Sequence, residues 1–137
     1  MNKHPYLRAY LAGIACPTVF LLFVVTVYSI IRYVYNVPIP VERVIMFPMA
    51  VVPNLWGLWN MLFVAYRGRT QMSIGFHGAV LPFLLAPLGI AMASILNFSI
   101  PHFAFSIFPF AAPVALIVYY LAWKYLVGFL NAELGIA

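Results

Sequence analysis

The spacing of charged residues constrains this chain more than any other feature. Arg8 and Arg32 bracket 23 uncharged residues, 9–31, and Arg43 and Arg67 bracket another 23, 44–66. A helix crossing about 30 Å of hydrocarbon needs roughly 20 apolar residues, so each run suits one passage. From Thr70 to Trp123 there is no Lys, Arg, Asp or Glu, and these 54 residues exceed one crossing and suffice for two. The turn between the two falls at "NFSIPH", 97–102, where Asn97, Ser99 and Pro101 supply the turn chemistry. The spacing therefore predicts helices near 8–32, 42–66, 76–97 and 103–126, then an apolar tail over 127–137. Short connections make consecutive helices antiparallel neighbours. The expected fold class is an all-α integral membrane protein, a four-transmembrane-helix antiparallel bundle forming one domain over 1–137.

Composition agrees. With 66% hydrophobic and 7% charged residues, the chain falls far below the about 25% charge of a soluble domain. Its basic residues carry topology. Lys3, Arg8, Arg67, Arg69 and Lys124 fall on one side of the expected membrane, and Arg32 and Arg43 on the other. Because Lys and Arg accumulate in cytoplasmic flanks, both termini are expected inside. The net charge of +5 then reads as topology and affinity for anionic headgroups, with no nucleic-acid partner. The "LAGIAC" ending at Cys16 is followed by the apolar "PTVFLLFVVTVYSII", so residues 1–31 read as an uncleaved span rather than a lipoprotein signal. Compact loops and that uncleaved span make a bacterial inner membrane the expected location. One cysteine permits no intramolecular disulfide and no Cys-based metal motif.

Prolines punctuate the spans: Pro17 in the first, Pro48 and Pro53 in the second, Pro82 and Pro87 in the third, Pro109 and Pro113 in the fourth. Each removes a backbone hydrogen bond, which membranes tolerate where neighbours re-satisfy the freed carbonyl, so bent helices are expected. The Pro-x4-Pro spacing shared by "FPMAVVPN" and "LPFLLAPL" allows an internal duplication. Small residues four apart, Ala9 with Gly13, Gly89 with Ala93 and Ala111 with Ala115, mark candidate packing seams.

The stretch "VVPNLWGLWN", 51–60, carries the strongest candidate binding residues: Pro53, Asn54, Trp56, Gly57 and Asn60. Pro53 frees the carbonyl of Met49, and Asn54 and Asn60 stand about 120° apart around the helix, flanking Gly57. One reading is a polar path or site for an ion, solute or headgroup. The other is interhelical hydrogen bonding with the tryptophans as filling.

Charged and titratable residues collect at the interfaces. Glu42 beside Arg43 and near Arg32 reads as an ion pair at a helix start, or as a gate. Lys124, between Trp123 and Tyr125, reads as a snorkelling anchor or a lipid-phosphate contact. His77 and His102 begin spans at opposite faces, which excludes a shared haem iron in one protomer. With Arg67, Arg69 and Lys124, His77 outlines an inner headgroup layer. The tail, polar only at Asn131 and Glu133, is expected to lie along the inner surface or contact a partner.

Catalysis finds little material: there is no Asp, no Ser or Cys with a matched His base, and no glycine-rich phosphate loop. No catalytic residue, metal or cofactor is assigned. The first expectation is a non-enzymatic helical assembly, a homo-oligomer or a subunit of a larger membrane complex, with the lipid bilayer and other membrane chains as partners. The alternatives are a small channel or carrier using Asn54, Gly57 and Asn60, and a headgroup-layer enzyme or lipid-binding protein.

Overall fold

The computed structural model describes residues 3–38, 41–44 and 48–136. Helix α1, Pro5–Tyr33, starts with proline at its first position, where the missing N–H costs nothing. A short α2, Val41–Val44, precedes α3, Ala50–Tyr66. Helix α4, Ile74–Ile95, is N-capped by Ser73, whose Oγ accepts from the Phe76 N–H. Helix α5, His102–Leu121, continues through a π-helical segment, Ala122–Val127, into α6, Gly128–Glu133. Three rods, α1, α4 and the continuous His102–Glu133, are long and apolar enough to cross a membrane.

The second expected span, 42–66, is described as α2 and α3, with residues 45–47 outside the described residues. One boundary differs from expectation. The last rod runs past 126 because no residue stops it before Gly135. There the chain adopts a left-handed conformation, φ 71°, and the N–H groups of Gly135 and Ile136 donate to the carbonyls of Ala132 and Asn131. Ile136 is thereby folded back and buried. The supposed tail closes on the chain's own bundle, and the Arg8 guanidinium donates to the Leu134 carbonyl at 3.0 Å. The same kind of cap ends α4: Asn97 sits at φ 55°, and Phe98 N–H reaches the Ala93 carbonyl at 2.8 Å.

The helices meet where glycine lets them. A Cβ placed on Gly13 of α1 would stand 2.5 Å from the Trp56 carbonyl oxygen and 2.7 Å from the Gly57 Cα, so α1 and α3 cross backbone against backbone. Across the bundle, a Cβ on Gly78 of α4 would stand 1.9 Å from Cγ of Trp123. Trp56, Leu81, Leu85, Trp123 and Val127 form the core. All belong to the end of the bundle shared by the start of α1, the end of α3, the start of α4 and the C-terminal rod. Helix α5 packs against α4, yet among the described residues none of its own is buried.

Candidate functional site

At the packed end, the sequence places single polar groups among apolar ones, and the asparagines find defined neighbours. Asn60 is fully buried between α1 and α6. Its Nδ2 donates to the Ala9 carbonyl and to Asn131 Oδ1, both at 2.7 Å, and Asn131 Nδ2 returns a bond to Asn60 Oδ1 at 3.0 Å. Asn54, six residues earlier on α3, is exposed. Its Nδ2 donates to the Ala50 carbonyl at 2.6 Å, one residue beyond the carbonyl that Pro53 frees, and its Oδ1 accepts from the Tyr10 hydroxyl. The two amides therefore face different neighbours. Gly57 lies between them in the α1 crossing, Pro53 is buried at the start of α3, and Trp56 belongs to the core.

An aromatic cluster surrounds His77. Its ring stacks on Trp59, with centroids 4.8 Å apart, and meets Phe63 at 5.3 Å and Trp123 at 5.8 Å. Trp59 Nε1 donates to the His77 carbonyl at 2.7 Å, and His77 Nε2 lies 2.8 Å from the Trp59 carbonyl oxygen. A carbonyl only accepts, so the proton sits on Nε2. This reciprocal pair ties α3 to α4 and occupies Nε2 of the imidazole. Trp123 Nε1 is buried with no partner among the described residues.

The remaining interfacial residues stay apart. Arg67 and Arg69 are exposed at the α3–α4 turn. Lys124 Nζ lies 5.8 Å and 5.3 Å from the ring centroids of Tyr120 and Tyr125. Arg32 Nη1 donates to Glu42 Oε1 at 2.6 Å on an exposed surface. The side chain of Arg43 lies outside the described residues. Among the described residues, no three His, Cys, Asp or Glu side chains converge on a metal position.

One concavity was not legible in the sequence. A cleft of about 840 Å³ opens between α1 and the C-terminal rod, lined by Cys16, Phe20, Trp56, Tyr119, Leu126 and Phe129 among others. Among the described residues, no Lys, Arg, His, Asp or Glu lines it. Trp56 Nε1 donates to the Tyr119 hydroxyl at 3.4 Å, and the two rings lie 5.1 Å apart. Asn131 was visible only as a polar break in the tail; Tyr119 and Tyr10 had no signal, since tyrosine in a membrane helix reads first as packing or an interfacial anchor. No family model, curated protein or solved structure matches the chain.

Proposed function

We propose that this chain is a non-enzymatic four-span membrane bundle, with both termini on the cytoplasmic face of a bacterial inner membrane, that works as an assembly through α5. In this reading α3 is the remaining crossing, antiparallel to α1 and α4. The oligomer consists of further copies or includes another membrane chain.

One observation carries the proposal. Helix α5 contains Pro109 and Pro113 yet has no buried residue among those described. Each proline withdraws a donor from the carbonyl four residues earlier, Phe105 and Pro109, and no side chain among the described residues donates to either. In hydrocarbon a freed carbonyl without a donor is costly, and kinked helices persist where a neighbour supplies one. A neighbouring helix on α5 would supply it. Apolar exposure alone would not support this, because lipid covers leucine as well as protein does. Asn54 and Asn60, the polar residues of the channel reading, bond to different partners, Asn54 to Tyr10 and Ala50 and Asn60 to Ala9 and Asn131.

Phe110, a large apolar side chain of α5 that is 78% exposed, gives the test. In a Cys16→Ser background, Phe110→Cys should cross-link in native membranes, to itself in a homo-oligomer or to another chain in a mixed complex. A label that reacts only as a monomer, with a short and a long cross-linker alike, would remove the proposal.

A further inference from the structure

The cleft between α1 and the C-terminal rod is not needed by the assembly reading, which uses the other end of α5. We propose that it binds a neutral lipophilic molecule with an apolar tail and a carbonyl oxygen, which accepts a hydrogen bond from Tyr119.

The volume, about 840 Å³, falls in the range of small-molecule sites, roughly 300–1,000 Å³. With no Lys, Arg, His, Asp or Glu in the lining among the described residues, a charged ligand would enter without a counter-ion, so the cleft favours a neutral one. The polarity that remains is directional. The Tyr119 hydroxyl already accepts from Trp56 Nε1, while its own proton has no acceptor among the described residues. What it offers is therefore a donor. A hydrocarbon would leave that donor unmet, in a medium where no water replaces the lost bond. A carbonyl oxygen would satisfy it. The ligand's oxygen must reach the Tyr119 hydroxyl, with its tail along Phe20, Leu126 and Phe129. Two sources share this chemistry, a tailed quinone and a fatty ester.

The test uses the purified full chain in lipid nanodiscs and follows quenching of its tryptophans by decylbenzoquinone. Saturable quenching is expected, because Trp56 lines the cleft. Tyr119→Phe should weaken it about three- to tenfold, the range of one hydrogen bond. Decylbenzene, which has the tail without the oxygen, should compete poorly and equally in both proteins. Val118→Trp, at a cleft position 54% exposed and so able to take a larger side chain, should abolish saturation by filling the space. Methyl laurate competing in a Tyr119-dependent way would identify the ester source; failure to compete would assign the site to the quinone. Unsaturable quenching in the native chain would overturn the proposal, as would equal binding by Tyr119→Phe or saturation that survives Val118→Trp.

Discussion

Asn60 and Asn131, 71 residues apart, hold each other through two reciprocal amide hydrogen bonds at 2.7 and 3.0 Å, with 0% and 1% of their surfaces exposed. Asn60 also reaches the Ala9 carbonyl. The pair joins three elements far apart in sequence, α1, α3 and α6. Because both amide N–H groups of Asn60 and one of Asn131 are used internally, the pair acts as a lock on the packed end.

Breaking the lock from either side should cost stability, and removing both sides should cost less than the sum. Asn60→Leu or Asn131→Leu leaves one buried amide without its partner, and each is expected to destabilise by about 1–2 kcal/mol. The double variant should cost less than the two together, by about 0.5–1 kcal/mol, as expected for directly bonded groups. Equilibrium unfolding in mixed micelles measures all three. Strict additivity would show that the amides do not act as a pair.

The α1–α3 crossing should tolerate no side chain at Gly13. The added Cβ meets the Trp56 carbonyl and the Gly57 Cα, which are backbone and cannot rotate away. Gly13→Ala should lower stability by about 1–3 kcal/mol, as overpacking does. Gly68→Ala, where a Cβ meets nothing within 4 Å, should stay within about 0.5 kcal/mol of the native chain. Thermal melting of the two variants side by side tests the contrast.

Glu42 lies in α2, outside the spanning helices. Its own backbone N–H and the Arg32 guanidinium hold its carboxyl below the usual carboxylate range. The folded value is depressed, so the contribution of this link is present above the unfolded value and is lost as pH falls through the folded one. Near neutral pH no change is expected. The chain has two acidic residues, Glu42 and Glu133, so carboxyl-carbon NMR resolves Glu42 directly. Its midpoint should rise in Arg32→Gln. An unchanged midpoint would mean that the 2.6 Å pair does not persist in solution.

Orientation gives a further expectation. A cysteine at Gln71, in the exposed α3–α4 turn, should react with an impermeant label only from inside, and one at Asn36, exposed after α1, only from outside. Reversed labelling would invert the bundle without changing its packing.

Helix type and turn positions were legible because charge and turn chemistry act locally. Asn97 in "NFSIPH" does end a helix, in the left-handed conformation that asparagine tolerates. The end of the last helix was missed, although the Gly135 that caps it was visible: with only apolar residues and Lys124 before it, the chain was divided at the anchor. The site depends on pairings across the sequence. Nothing local says that Asn131 meets Asn60 or that Tyr10 meets Asn54. The glycine at 78 shows its purpose only once Trp123 is seen against it. In an apolar chain every helix face looks alike, so periodicity cannot tell a core face from a lipid face.

Assembly is tested most directly by native mass spectrometry of the protein extracted gently from its own membrane. A defined multiple of the chain mass, or a fixed ratio with another membrane chain, is expected. The mass of one chain alone, in mild detergent and again after return to lipid, would contradict it.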